Sequence, residues 1–174
     1  MTTVFFVLLA RRKHTSNSSL LLLGRTKMRT RLAQSDDLVP LLSLYHHFHP
    51  DDPSPTQDVA AKRWREMLEH PGLRVFVALT PEDTIASTCT LSVIPNLARS
   101  AAPYGVIENV VTWASLRTRG YGGAVLRRAV EEAWNSGCYK VMLMTGSKRK
   151  ETLRFYERAG FDTRVTGFQI RRQG

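Results

Sequence analysis

The order of patterned segments predicts an α/β (α+β) domain with a mixed central sheet of about six to seven strands flanked by about four helices. Three observations carry this. Two amphipathic helical stretches precede a pair of runs rich in β-branched residues, LRVFVALT and TIASTCTLSVI, joined by the turn TPED. A strand, a glycine-rich turn, a helix and a second strand then follow one another between residues 105 and 144, an order that demands parallel pairing inside an otherwise antiparallel sheet. A last helical segment and a β-rich tail, FDTRVTGFQIRR, complete the pattern.

Taken in order, MRTRLA from Met28 reads as a short strand. Ser35-Asp36-Asp37 caps a helix with Leu38, Leu41, Leu42 and Tyr45 on one face. Pro40 falls near its first turn, where a missing N–H matters least. HPDDPSP interrupts the chain, and Ser54-Pro55-Thr56-Gln57 has the form of a capping box for a second helix that uses Ala60, Trp64, Met67 and Leu68 and stops at His70-Pro71-Gly72. After the β pair and a loop from Pro95, the strand GVIENVVTW leads into Arg117-Thr118-Arg119-Gly120-Tyr121-Gly122-Gly123. The next helix carries Val125, Ala129 and Ala133 on one row and Leu126, Val130 and Trp134 on the next, and Gly137 ends it. YKVMLMT is a continuous apolar run of the kind expected in a strand covered on both faces.

The chain has 174 residues, of which 43% are hydrophobic and 23% charged, a globular composition suited to one domain. Its net charge is +10, but Arg11, Arg12, Lys13, Arg25 and Lys27 fall in the first 27 residues with no acid among them. Residues 1–27 also differ from the rest in their short apolar blocks, VFFVLLA and LLLL, and are read as an N-terminal extension to a domain spanning 28–174. No apolar run approaches the roughly 20 residues that cross a bilayer. The basic balance favours anionic ligands. No interleaved basic and aromatic pattern of a nucleic-acid binder accompanies it, so neither nucleic acid nor membrane is expected as a partner. Cys89 and Cys138 sit in apolar runs without metal-type spacing, consistent with reduced thiols and a cytoplasmic setting. His46, His47 and His49 do not share a helical face and have no completing carboxylate or thiol, so no metal site is expected.

The glycine turn is where the chemistry concentrates. A helix start leaves backbone N–H groups unpartnered and carries partial positive charge, and glycines let an anion approach that backbone closely. The turn lacks the third spaced glycine of a dinucleotide fingerprint and the GK[ST] of a P-loop. Arg117-x-x-Gly120-x-Gly122, followed by Phe155-Tyr156-x-x-x-Gly160-Phe161 at the appropriate distance, resembles the paired motifs of the GNAT (GCN5-related N-acetyltransferase) superfamily over roughly residues 28–170. The resemblance implies the GNAT fold, in which a splayed parallel strand pair binds acyl-CoA, and transfer of an acetyl group from acetyl-CoA to a primary amine of a small molecule or peptide. It implies that Arg117, Thr118, Arg119, Gly120, Tyr121, Gly122, Gly123 and Ala124 hold the pyrophosphate, and that Val110, Val111 and Thr112 pair with the pantetheine arm. Tyr156 becomes the acid for the departing thiolate, and Glu108 the leading base, with Asn109 as the fallback polar contact. In regular strand alternation Glu108 shares a face with Val110. Two departures stand out: Ala114 where many members have proline, and Arg149 and Thr152 around the usual asparagine position, which makes Arg149 a candidate contact to the cofactor's 3′-phosphate. The HHFHPDDP segment would border the acceptor groove, with Asp51 and Asp52 attracting a cationic amine. A non-catalytic CoA-binding domain is the alternative, and exposed sheet edges make a homodimer plausible.

Overall fold

The computed structural model describes residues 28–170 and residue 172; the expected extension at 1–27 lies outside these residues. Five strands and four α-helices follow in the order β1 (Thr30–Leu32), α1 (Leu38–Phe48), α2 (Gln57–Glu69), β2 (Leu73–Leu79), β3 (Ile85–Ile94), β4 (Tyr104–Thr112), α3 (Tyr121–Asn135), β5 (Val141–Leu143) and α4 (Lys150–Arg158). The sheet runs β1-β2-β3-β4-β5. All pairs are antiparallel except β4 and β5, which lie parallel across the α3 crossover.

Two cores lie on the two faces of this sheet. On one, Val125, Leu126, Ala129 and Ala133 of α3 pack against Phe76, Ala78, Cys89, Leu91 and Ile107, with Phe155 and Tyr156 of α4 at the margin. On the other, Leu41 and Leu44 of α1 and Trp64 of α2 cover Val75, Val77, Ile85 and Val111. Alternation along β2 explains the division: Val75 and Val77 point one way, Phe76 and Ala78 the other. Only the first of the two rows foreseen on α3 is fully inside, since Trp134 is exposed. The second helix begins one residue after Thr56, an extended N-cap, so Ser54 and Pro55 precede it rather than capping it. Similarly, Gln34 precedes the 3-10 turn Ser35–Asp37 that leads into α1.

The sheet has five strands among the described residues, fewer than the six to seven expected, and the missing one is the C-terminal strand. Residues 162–170 join no ladder. Asp162 turns back on its own neighbour, accepting from the Arg164 backbone N–H at 3.2 Å and from Arg164 Nε at 2.8 Å. Such local side-chain bonds compete with strand pairing. In consequence β5 is a three-residue edge strand, not one covered on both faces, and Met142 and Met144 are exposed, as are Val165, Phe168 and Ile170.

One ion pair ties β1 to the start of α1. Both oxygens of the buried Asp37 carboxylate accept from Arg31, at 2.5 and 2.9 Å, and Oδ2 also accepts the Gln34 N–H at 2.7 Å. Burial pushes this carboxyl up, but the Arg31 hydrogen bonds and charge and the Gln34 N–H outweigh it and hold it below its ordinary value. Asp37→Asn should therefore lower stability by about 2 kcal/mol at neutral pH in urea denaturation. A depressed folded pKa stabilises fully above the unfolded carboxyl value of about 3.9 and is lost as pH falls through the folded value. The gap between wild type and variant should close in that acid range.

Candidate active site

The site starts from an irregularity in β4. Thr88 pairs with Val111 and Thr90 with Glu108, so Cys89 alone opposes Asn109 and Val110. This is a β-bulge, and Asn109 adopts φ 53° to make it, a conformation asparagine tolerates better than most residues. The extra residue shifts the alternation by one. Ile107 and Val110 both pack on the α3 side, and Val111 packs on the α1 side. Glu108 therefore shares the α1-facing side with Val111, not with Val110 as regular alternation suggests. Its side chain is exposed.

The parallel pairing of β4 with β5 covers Gly105–Ile107 against Val141–Leu143 and goes no further. From Glu108 to Thr112 the β5-side edge of β4 has no strand beside it among the described residues. This leaves main-chain groups able to pair with an extended ligand. Ser87 holds the far end of this segment. Its buried hydroxyl donates to Val111 O at 2.7 Å and lies 2.8 Å from Thr112 Oγ1. Nothing in its sequence context marks Ser87, because its partner is a backbone carbonyl 24 residues away.

Beyond β4, a 3-10 turn at Ala114–Leu116 brings the chain to the glycine turn. Thr118 (φ 63°) and Gly120 (φ 98°) are both left-handed, and Gly120 is the N-cap of α3. The first intrahelical bond runs from Ala124 N to Gly120 O, at 3.0 Å. Helix geometry leaves the preceding N–H groups of Tyr121, Gly122 and Gly123 pointing out of the helix start. The Tyr121 side chain is buried in the α3 core, so this residue anchors the helix and offers only its backbone. The Thr118 hydroxyl donates to the Arg117 carbonyl at 2.6 Å. Arg117 and Arg119 are exposed beside the turn. Gly122 is required for closeness: a Cβ there would lie 3.0 Å from Thr112 Oγ1 and 3.2 Å from Phe155 Cζ. The helix start, the end of β4 and α4 therefore meet at one point. Arg127, unremarked in the sequence, curls back so that its guanidinium lies 3.3 Å from where a Gly123 Cβ would be. A basic residue four positions after Gly123, on the same helical face, was the available signal.

Tyr156 on α4 closes the third side. Its ring packs near Phe155 and Phe161, with centroids 5.1 and 6.4 Å away. Burial pushes its phenol up, and the charge of Glu108 and then the Cys89 thiol push the same way. The phenol thus lies within the electrostatic influence of Glu108. Arg149 is not brought to this cluster by any contact; it is the exposed N-cap of α4, paired with Glu151 at 3.7 Å. Among the three clustered histidines, His47 lies at the end of α1 against Trp113, ring centroids 4.7 Å apart. No group of three or more potential metal ligands forms among the described residues, and no helix there is long and apolar enough to cross a membrane.

A helix start with outward-pointing N–H groups, beside two strands that part near a carboxylate and a phenol, offers main-chain groups to an extended anionic ligand. Comparison with known proteins makes this specific. Residues 41–161 match the Acetyltransferase (GNAT) family model. A Trypanosoma brucei brucei protein named glucosamine 6-phosphate N-acetyltransferase is 31% identical over 133 residues, 75% of this chain and 86% of that protein. A solved candidate acetyltransferase from Agrobacterium tumefaciens str. C58 is 46% identical with a TM-score of 0.79, covering 83% of this chain and all 100% of that one. A crystallised Trypanosoma brucei acetyltransferase is 27% identical with a TM-score of 0.71, covering 83% and 99%. The chain belongs to the GNAT family of acetyltransferases, and it is an acyl-transferring enzyme.

The coupling between Glu108 and Tyr156 has a measurable consequence. Removing the Glu108 charge takes away one of the influences that raise the phenol. Glu108→Gln should shift the Tyr156 titration to lower pH, read by ultraviolet difference titration against the same pair carrying Tyr156→Phe. An unshifted titration would place the two groups out of electrostatic contact.

Proposed function

We propose that this enzyme transfers the acetyl group of acetyl-CoA directly to the primary amine of a small acceptor, within a ternary complex. The observation that carries this is the convergence of the Gly120–Gly123 helix start, the unpaired end of β4 at Thr112 and α4 at Phe155, with the Tyr156 phenol of the same helix within the electrostatic influence of Glu108. In this reading, the N–H groups from Arg119 to Ala124 bind the pyrophosphate, and Arg117, Arg119 and Arg127 add charge. Val110, Val111 and Thr112 present main-chain groups to the pantetheine arm, and one of their amides polarises the acetyl carbonyl.

The chemistry then requires two proton movements. The acceptor amine must be neutral to attack, and Glu108, exposed beside the bulge, takes its proton directly or through water. The thiolate that leaves must be quenched, and Tyr156, held protonated by burial and by the Glu108 charge, is the donor. In this reading the chain's own groups supply orientation and the proton carriers. Glucosamine 6-phosphate is the first acceptor to test, because a relative of this similarity and coverage carries that name.

Two measurements test the assignment. Gly120→Glu with Gly122→Glu puts side chains and negative charge into the helix start, and acetyl-CoA binding by isothermal titration should fall below detection in a still-folded protein. Binding that survives would detach the turn from the cofactor. Separately, Tyr156→Phe should lower kcat about 100-fold or more while leaving acetyl-CoA affinity near the wild-type value. An unchanged kcat would remove Tyr156 as the acid.

A further inference from the structure

Where β4 ends, the direction of each hydroxyl proton follows from the hydrogen bonds. The Ser87 hydroxyl donates to Val111 O at 2.7 Å and lies 2.8 Å from Thr112 Oγ1. A hydroxyl carries one proton, and that of Ser87 is committed to the carbonyl. Thr112 is therefore the donor in the second bond. Its proton points at Ser87, and the remaining lone pairs of Oγ1 act only as acceptors. Ser87 is fully buried, whereas Thr112 is partly exposed. The relay thus runs inward from the opening, from Thr112 to Ser87 to the Val111 carbonyl.

We infer that Thr112 Oγ1 accepts an amide N–H of the cofactor's arm, and that Ser87 is the positioning residue that holds it ready to do so. This assignment rests on the acetyl-CoA reading proposed above. Thr112 lies opposite Ser87, on the stretch of β4 that has no strand on its other side among the described residues. The next residue, Trp113, sends its N–H to Ala86 O at 3.2 Å. In antiparallel alternation the main-chain groups of Thr112 then face away from β3, toward the open edge. The side-chain oxygen also stands against the helix start, since a Cβ on Gly122 would lie 3.0 Å from it. It is therefore placed between the N–H groups proposed for the pyrophosphate and the edge proposed for the arm. Its chemistry separates the two. An oxygen that only accepts disfavours a phosphate oxygen and favours an amide N–H, which the arm supplies. Threonine is stiff at χ1, and with its proton held by Ser87 the lone pairs are oriented before any ligand arrives.

The test is isothermal titration with acetyl-CoA and with adenosine 3′-phosphate 5′-diphosphate, which keeps the pyrophosphate and lacks the arm. Wild type is compared with Thr112→Val, Thr112→Ser, Ser87→Ala and the Ser87→Ala, Thr112→Val double variant, each checked for folding by its Tm. Thr112→Val should weaken acetyl-CoA about tenfold, the worth of one hydrogen bond, and leave the armless ligand at wild-type affinity. Thr112→Ser keeps the hydroxyl and should bind as wild type does. Ser87→Ala should weaken acetyl-CoA in the same direction, and the double variant should bind no more weakly than Thr112→Val alone. Equal losses on both ligands would show that Thr112 only shapes the helix start beside Gly122, and would overturn the inference. Unchanged acetyl-CoA affinity in Thr112→Val would overturn it too, and additive losses would remove Ser87 from it. A folded wild type that binds neither ligand would instead remove the cofactor reading on which the assignment rests.

Discussion

The single inserted residue in β4 is the constraint on which the rest depends. A strand that kept strict alternation from Ile107 would exchange the two valines, sending Val111 toward α3 and Val110 toward α1. By adopting a left-handed conformation at Asn109, the chain turns Val110 to the α3 core and Val111 to the α1 core. The same distortion falls where β4 loses contact with β5. Bulges bend a strand and end pairing locally, so the opening between the two parallel strands is a geometrical result of the bulge rather than a separate feature. Ser87 then prevents the freed end of β4 from relaxing, through its bond to the Val111 carbonyl.

Around this opening, charge is handled mainly by the backbone. The helix start contributes N–H groups and a dipole that need no rotamer to be ordered, while the exposed arginines beside it are mobile cations that reinforce it. Gly122 is there for approach and Gly120 for its left-handed φ; neither role can be filled by another residue without displacing Thr112, Phe155 or the cap itself. The carboxylate and the phenol are treated in opposite ways. Glu108 stays exposed on its strand, and Tyr156 is pressed into the margin of the α3 core, where burial favours its neutral form.

Much of this was legible beforehand. The two helical faces, the antiparallel pair, the parallel crossover and the glycine turn all follow from periodicity and from the special backbone needs of glycine, which act over a few neighbouring residues. The pairing of Arg117-x-x-Gly120-x-Gly122 with Phe155-Tyr156 was visible because both motifs are contiguous. The C-terminal strand was the chief error: FDTRVTGFQIRR has strand composition, but the turn at Asp162 and Arg164 satisfies its polar groups locally, and β5 is left as an edge.

By itself, then, the sequence determined the class of fold and the place of the helix start, which are written in local spacing and residue chemistry, while the pair Glu108 and Tyr156 came from the resemblance of its motifs to the GNAT family. Only the tertiary structure decided which face Glu108 occupies, that Ser87 bonds the end of β4, and that Arg127 folds back over the helix start. The physical reason is the same in each case. A bulge and a cross-strand hydrogen bond are properties of a residue's neighbours in space, and those neighbours lie on other strands that no local pattern in the chain specifies.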